Sequence, residues 1–328
     1  MNRYARQICL PEVGAEGQAR LRAAHVVVIG AGGLGAPVLQ YLCAAGIGSV
    51  LVVDPDRISR SNLHRQVLFR EQQIGALKAV VAVDTLAALN PECDIRAMSD
   101  ALDPGNVKEV VQGADIVVDC ADSFAVSYML SDHCKAAGLA LITASALGLQ
   151  GYVGGFCANA PSLRAVFPDL PARAATCATA GVLGPVVGTV GALQAQMVLA
   201  HLLRLQPAVM GQMVTVDLAQ YRFGGFRFDG AVEPEGALFS FITADAVTPH
   251  DFAVELRDVA EAPELFAPGA LRYRVAEFVN MPPIPYPGQR AVLCCRSGLR
   301  AWQAATALRQ HWSGPVALVA MGEGPGDG

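Results

Sequence analysis

Residues 26–35 read Val-Val-Val-Ile-Gly-Ala-Gly-Gly-Leu-Gly. The first four form an unbroken apolar run, which is typical of a strand buried on both faces of a sheet. An apolar helix is predicted directly afterwards, over residues 36–45. A glycine-rich turn between a strand and a helix predicts a phosphate site, because backbone N–H groups at a helix N-terminus attract anions. The glycines of this turn are Gly30, Gly32, Gly33 and Gly35.

Strands and helices continue to alternate after this turn. Such alternation predicts an α/β fold with a doubly wound, mostly parallel, Rossmann-like sheet. The predicted elements are a strand at 50–53, a helix at 76–89, a strand at 115–119, a helix at 124–137, a strand at 139–143, a helix at 188–205 and a strand at 213–217.

The C-terminal part of the chain predicts a second, smaller α/β unit. Residues 229–248 are rich in Gly, Pro and Ala and show little periodicity, as in a linker. Strands at 252–256, 291–294 and 316–319 and a helix at 301–311 are predicted beyond it. We therefore predict a large α/β unit over 1–228, a linker over 229–248 and a small α/β unit over 249–328.

The composition excludes several classes of partner. The net charge is −5 and no basic stripe occurs, so a nucleic-acid partner is not expected. The N-terminus carries charged and polar residues instead of an apolar signal, and the apolar run at 182–205 is interrupted by Gly, Pro, Gln and His. We expect a buried helix there and no membrane span. Nine scattered cysteines without framework spacing predict reduced thiols and a cytoplasmic protein.

Charged side chains follow several of the predicted strands. Asp54 ends the second strand, where a carboxylate can bind a ribose hydroxyl. Asn62 and Arg65 come shortly after it, and Lys78 lies in the first turn of the helix predicted at 76–89. Positive charge near the strand ends suits a triphosphate such as ATP. Asp122 follows the strand predicted at 115–119 and can hold Mg²⁺ against phosphates.

Each of these residues also has a purely structural explanation. Arg65 could form a surface ion pair, Lys78 could lie on a solvated helix face, and Asp122 could cap the following helix. The glycine turn with Asp54 alone would be typical of a nicotinamide-dependent oxidoreductase, which is one alternative function. Arg65, Lys78 and Asp122 argue against that alternative, because a dinucleotide lacks the charge of a triphosphate.

The order and spacing of this set, together with Arg3-Tyr4-Ala5-Arg6-Gln7, resemble the bacterial relatives of ubiquitin-activating enzymes, namely molybdopterin-synthase adenylyltransferase and the ThiF adenylyltransferase. The resemblance covers residues 3–228. It implies a homodimer that uses ATP and Mg²⁺ to adenylate the C-terminal carboxylate of a small ubiquitin-like sulfur carrier ending in Gly-Gly. It also implies phosphate contacts from the glycine turn, a ribose contact from Asp54, charge neutralisation by Asn62, Arg65 and Lys78, a Mg²⁺ ligand in Asp122, and an Arg6 that completes the neighbouring subunit's site.

The chain departs from the family pattern at two serines and at the zinc ligands. Ser123 and Ser127 stand where the family usually has Asn and Arg. The family's two Cys-x-x-Cys pairs are missing, at 161–165 and after Phe228, so we predict no structural zinc. Cys177, in a glycine-flanked loop, matches the family's reactive loop cysteine. A small buried cysteine is the alternative interpretation of that residue.

A second reactive cysteine is predicted in the small unit. Cys295-Arg296-Ser297-Gly298-Leu299-Arg300 lies between a predicted strand and a predicted helix. Backbone N–H groups, the helix dipole and Arg300 favour a thiolate there. The loop resembles the rhodanese active site, which implies that Cys295 carries a persulfide and takes sulfur from a persulfide or thiosulfate donor. A phosphatase-like cysteine loop is the alternative.

Together these features predict adenylation of a carrier followed by sulfur transfer from Cys295, giving a thiocarboxylate. A carrier-binding scaffold without catalysis is the second alternative function, suggested by the missing zinc ligands and by Ser127. It would bind the carrier and show no ATP–pyrophosphate exchange.

Overall fold

The computed structural model describes residues 3–169, 181–235 and 239–322. The larger of its two sheets is built from β1 (His25–Ile29), β2 (Ser49–Val53), β3 (Asp94–Met98), β4 (Ile116–Asp119), β5 (Ala140–Leu147), β6 (Gln150–Cys157), β7 (Gln212–Asp217) and β8 (Arg222–Arg227). The strand order is β3-β2-β1-β4-β5-β6-β7-β8. Strands β1 to β5 pair in parallel, and β6, β7 and β8 pair antiparallel. The predicted doubly wound, mostly parallel α/β sheet is confirmed.

The helices around this sheet cover its two faces. They are α1 (Ala5–Ile8), α2 (Gly14–Ala23), α3 (Gly35–Ala45), α4 (Lys78–Leu89), α5 (Val107–Val110), α6 (Phe124–Ala137), α7 (Leu163–Val166) and α8 (Gly184–Leu203). The register aligns Ile29 of β1 with Val53 of β2 and with Asp119 of β4. The carboxyl ends of these three strands therefore meet at one edge of the sheet, beside the glycine turn.

Helix α8 begins four residues earlier than predicted. Gly184 and Pro185 had the character of a loop, but proline fits the first helical turn, where its missing N–H has no partner to lose. Gly191 allows a close approach to α3, because a Cβ there would lie 2.5 Å from Pro37 Cγ. Within the described ranges α8 alone is long and apolar enough to span a membrane, yet over half of its apolar window is buried. It is a core helix in this fold.

The smaller sheet has five parallel strands in the order β11-β10-β12-β13-β9. Its elements are β9 (Ser240–Phe241), β10 (Phe252–Glu255), β11 (Leu271–Arg272), α9 (Val275–Asn280), β12 (Ala291–Cys295), α10 (Leu299–Arg309) and β13 (Val316–Ala320). Strand β9 lies within the range predicted as a linker. Ser240 pairs with Ala317 there, so part of that range closes the edge of the small sheet.

Candidate active site

The glycine turn after β1 leaves no room for side chains at two positions. Gly30 has φ +97°, and a Cβ there would lie 2.7 Å from the carbonyl oxygen of Cys120. A Cβ at Gly35 would lie 2.0 Å from the carbonyl oxygen of Gly30. The turn therefore brings the ends of β1 and β4 together and starts α3 with its N–H groups facing the strand-end edge.

Asp54 is buried directly beside this turn. Its carboxylate accepts hydrogen bonds from the Ala31 N–H (2.7 Å) and the Asp56 N–H (2.9 Å). Burial raises the pKa of Asp54, and the charge of Lys78 opposes that shift. Asp54 thus stabilises the glycine turn itself, in addition to the ribose contact expected from the sequence.

Lys78 is buried at the start of α4, and only 7% of its side chain is exposed. Its Nζ lies 2.7 Å from Oδ2 of Asp56, whose side chain is 61% exposed. The alternative of a solvated helix-face lysine is therefore wrong. A buried cation that is paired with a solvated carboxylate can exchange that partner for a phosphate.

The loop at 60–66 carries Asn62 and Arg65. Arg65 Nη1 donates to the carbonyl of Ser61 (3.1 Å) and lies 2.9 Å from Nε2 of His64. The loop packs against the start of α8, because a Cβ at Gly184 would lie 2.5 Å from the His64 carbonyl oxygen. The Asn62 carbonyl accepts from two N–H groups of the loop. The guanidinium of Arg65 therefore binds within its own loop.

Gln66 is a site residue that the sequence analysis did not single out. It is 4% exposed, and its Nε2 would lie 3.6 Å from a Cβ at Gly32. Its Oε1 has no hydrogen-bond partner within the described residues. A buried amide oxygen that lacks a hydrogen-bond donor, next to the glycine turn, is suited to accept a hydrogen bond from a bound nucleotide. Its position directly after Arg65 is the sequence feature that could have indicated a role in the site.

A buried carboxylate, also missed by the sequence analysis, ends β4. Asp119 is fully buried and accepts hydrogen bonds from the Ala121 N–H (3.1 Å), Thr143 Oγ1 (3.2 Å) and the Ser127 hydroxyl. Burial raises the pKa of Asp119 from 3.8 to about 6, and the nearby charge of exposed Asp122 adds to this shift. Ser127, where the family usually has arginine, therefore binds the buried carboxylate.

Replacing Asp119 with asparagine is expected to stabilise the protein at pH 7. Between pH 3.8 and about 6 the native chain holds a proton that the unfolded chain has lost, so the free energy of unfolding falls as pH rises. The resulting loss in the free energy of unfolding amounts to about 3 kcal/mol. Denaturant unfolding from pH 4 to 7 should show that the free energy of unfolding of Asp119→Asn rises relative to that of the wild type as the pH rises. A difference independent of pH would contradict the assignment.

Arg6 lies far from the glycine turn of its own chain. It is exposed on α1, which rests against the C-terminal ends of α3 and α4: Gln7 Nε2 donates to the Ala45 carbonyl (3.0 Å), and Arg3 Nη1 to the Leu89 carbonyl (3.0 Å). The turn lies at the opposite end of α3. Cys177 lies outside the described residues.

Cys295 is the last residue of β12, and the loop that follows it surrounds its sulfur atom. Its Sγ accepts hydrogen bonds from the N–H groups of Gly298 (3.1 Å) and Ala301 (3.3 Å), as the loop sequence predicts. The residue is completely buried, and burial raises the pKa of its thiol despite these donors and the charge of Arg300. The expectation of a thiolate at neutral pH is therefore wrong for this buried sulfur, because desolvation outweighs the donors.

Arg300 is paired within the small unit. Its guanidinium binds both carboxylate oxygens of Glu261, one of them at 2.7 Å, and the Leu256 carbonyl at 3.2 Å. Arg296 Nε lies 3.4 Å from the same carboxylate. Glu261 therefore offsets the positive charge that the sequence analysis assigned to the stabilisation of the sulfur anion.

Replacing Glu261 with glutamine is expected to lower the pKa of Cys295, because the charge of Arg300 would no longer be neutralised. The pH midpoint of Cys295 alkylation by iodoacetamide, followed by peptide mass spectrometry, should move to lower pH. Glu264→Gln, an exposed neighbour, is the matched control. An unchanged midpoint would show that Glu261 does not control the thiol.

Polar contacts join the two segments at which the family carries zinc ligands. Glu233 accepts from the Ser162 N–H (2.8 Å) and hydroxyl (2.5 Å), and Lys135 Nζ lies 3.1 Å from Glu233. Among the described residues no group of three or more His, Cys, Asp or Glu side chains could hold a metal ion. The absence of structural zinc stays a prediction.

Sequence comparison finds named relatives of the chain. It is 40% identical over 225 residues to the SAMP-activating enzyme E1 of Haloferax volcanii, covering 68% of this chain and 83% of that protein. It is 41% identical over 231 residues to the sulfur carrier protein adenylyltransferase of Thermus thermophilus, covering 68% and 85%. The match to bovine adenylyltransferase and sulfurtransferase MOCS3 is 42% identical over 235 residues and spans half the length of that relative.

Structural comparison supports the fold. The crystal structure of E. coli MccB with ATP superposes with a TM-score of 0.60 at 24% identity, covering 70% of this chain and 72% of MccB. At this identity the likeness concerns the fold alone. The sequence profile of the ThiF family matches residues 4–233, well over half of the chain. The chain belongs to the ThiF family.

Proposed function

We propose that this protein is an adenylyltransferase that uses ATP to activate the C-terminal carboxylate of a small ubiquitin-like sulfur-carrier protein ending in Gly-Gly. The observation that carries the proposal is the buried cation of Lys78. It lies at the same edge of the sheet as the glycine turn and Asp122. A free carboxylate is a poor acylating agent, whereas an acyl adenylate has a good leaving group. The names of the relatives from Haloferax and Thermus support this activity.

In the proposed reaction a carboxylate oxygen of the carrier attacks the α-phosphate, and pyrophosphate leaves. The turn N–H groups bind phosphate oxygens, Lys78 exchanges Asp56 for phosphate, and Asp54 binds the ribose. Asn62 and Arg65 add contacts after a rearrangement of their loop, because Arg65 contacts its own loop in the present conformation. Positioning and charge neutralisation account for the catalysis.

The strand-end carboxylates fit Mg²⁺, which proteins usually bind through one or two carboxylates together with substrate phosphates. Asp122 is exposed after β4, and the buried Asp119 lies close enough for the two charges to interact. We propose that Asp122 holds the ion and that Asp119 supports it. Bound Mg²⁺ would neutralise charge on the leaving pyrophosphate.

We also propose that residues 249–328 form a rhodanese-like sulfur donor joined by residues 229–248 to the adenylating unit 1–228. The Cys295 thiol loses its proton and takes the outer sulfur of thiosulfate, and sulfite leaves. The terminal persulfide sulfur then attacks the acyl carbon, and AMP leaves with the electron pair. A thiol reductant attacks the Cys295 sulfur of the resulting acyl disulfide, which releases the thiocarboxylate. Cys177 is the candidate internal thiol.

A homodimer in the cytoplasm completes the proposal. A reducing compartment keeps the Cys295 thiol free. A second subunit would supply Arg6, which the fold places away from its own turn. The position of α1 supports this division, because it presents Arg6 on the outer surface.

Carrier-dependent ATP–pyrophosphate exchange tests the function. Asp122→Ala should reduce exchange at least 100-fold, whereas Asp84→Ala, an exposed aspartate on α4, should leave it unchanged. Cys295→Ala should retain exchange and lose thiocarboxylate formation from thiosulfate. Exchange that survives Asp122→Ala would refute the role of that carboxylate. Carrier binding without exchange in the wild type would identify a scaffold, and tight NAD binding an oxidoreductase.

A further inference from the structure

A buried arginine connects the two sheets of the molecule. Arg164, on α7, is 2% exposed. Its Nε and Nη2 donate to the two carboxylate oxygens of Asp132 on α6, at 2.6 and 2.7 Å. Nη2 also donates to the carbonyl of Phe239 (2.9 Å), in the segment that leads to the small sheet. One side chain therefore binds the large unit and the connecting segment at once.

The same guanidinium lies over two aromatic rings that contact each other. Its carbon is 5.0 Å from the ring centroid of Tyr128 on α6 and 5.3 Å from that of Trp302 on α10. The two rings contact each other at 5.3 Å, and Phe239 meets Trp302 edge-on at 5.2 Å. Cation–π contacts gain strength when water is excluded, as it is here. Arg164 thus fixes α10 against α6.

Helix α10 begins directly after the Cys295 loop, so this contact also fixes the loop. A Cβ at Gly298 would lie 2.8 Å from a ring carbon of Phe241 and 3.3 Å from Cβ of Ala125. Ala125 is in the first turn of α6, three residues after Asp122. Gly298 is also one of the two residues whose N–H groups donate to the Cys295 sulfur. The sulfur loop therefore rests on the end of α6 that follows the proposed metal carboxylate of the same chain.

We infer that Arg164 is a positioning residue that holds the Cys295 loop at the N-terminal end of α6, so that sulfur passes to the adenylate formed by the same chain. This inference rests on the proposed function and uses the sulfur-transfer steps given above. Because Cys295 is buried, the loop must open locally before transfer. We call the contacts of Arg164 with Tyr128, Asp132, Phe239 and Trp302 the Arg164 clamp. This clamp confines the opening of the loop to the neighbourhood of Asp122.

Co-expressed variants distinguish transfer within a chain from transfer between chains. Asp122→Ala and Cys295→Ala chains with different affinity tags are co-purified as a mixed dimer and assayed with ATP, thiosulfate, dithiothreitol and a Gly-Gly carrier. Transfer within a chain predicts less than a tenth of wild-type thiocarboxylate. About half of the wild-type rate would overturn the inference. A wild-type protein without exchange would instead refute the proposed function.

The role of Arg164 is tested by Arg164→Met. Thiocarboxylate formation should fall at least tenfold while exchange stays within twofold of wild type. With Arg164→Met in both chains, the mixed dimer should give about half the rate of the Arg164→Met homodimer, because the released loop no longer selects its own chain. If Arg164 had only a structural role, the mixed dimer would stay below a tenth of that homodimer. Unchanged thiocarboxylate formation would overturn the inference. If Arg164→Met loses exchange, Trp302→Leu, which releases the clamp from α10, supplies the same readouts with the same outcomes.

Discussion

Gly35→Ala is expected to abolish ATP binding and to lower the free energy of unfolding by about 3–5 kcal/mol. The added Cβ would lie 2.0 Å from the carbonyl oxygen of Gly30, within the backbone of the turn itself. Neither atom can move without displacing the first turn of α3 from the end of β1. The N–H groups that would bind phosphate would then point elsewhere.

Calorimetric titration with ATP and denaturant unfolding check both parts of this prediction. Gly188→Ala is the matched control, because a Cβ there meets nothing within 4 Å and the residue lies inside α8. Replacing a helical glycine with alanine should stabilise the protein by about 0.5–1 kcal/mol. Wild-type ATP affinity in Gly35→Ala would contradict the assignment of the turn.

Lys78→Met is expected to reduce the rate of exchange by about 10²–10³-fold, the effect typical of losing one charged or hydrogen-bonding group aimed at the transition state. Stability should change little, because methionine fills the buried stem and Asp56 remains largely in water. The loss should therefore appear in kinetics and not in thermal unfolding.

Steady-state exchange and the melting temperature separate the two effects. Lys108→Met is the matched control, since Lys108 is exposed on α5. Exchange within threefold of wild type in Lys78→Met would remove the observation on which the adenylation proposal depends. A large fall in melting temperature would instead indicate a structural lysine.

The centre of the fold could be predicted because its strands are apolar along their whole length. The runs at β1 and β4 and the bounds of α6 match the sequence pattern closely. Strands β3, β6 and β8 of the large sheet were missed. Strands β3 and β8 lie at the sheet edges, and β6 contains three glycines, which are not typical of a strand. None of residues 94–98 is fully buried, and every residue of 222–227 is exposed, so neither strand has the buried face that gives a clear strand pattern.

The candidate site could be predicted only where one sequence segment builds it. The glycine turn is such a segment, and its geometry follows the pattern. Other features of the site depend on contacts between distant segments. They are the burial of Lys78, the amide oxygen of Gln66 that lacks a donor, and the raised pKa of Asp119. Desolvation of Cys295 has the same origin, since the loop sequence specifies the donors around the sulfur but not the protein that covers it.

The central claim is that the carrier's carboxylate attacks ATP at the α-phosphate. It is tested most directly with a carrier whose terminal carboxylate is labelled with ¹⁸O. After one round of thiocarboxylate formation, mass spectrometry should find one ¹⁸O atom in the released AMP, because the bond between the acyl carbon and that oxygen breaks. Unlabelled AMP, or ADP and phosphate in its place, would contradict the account.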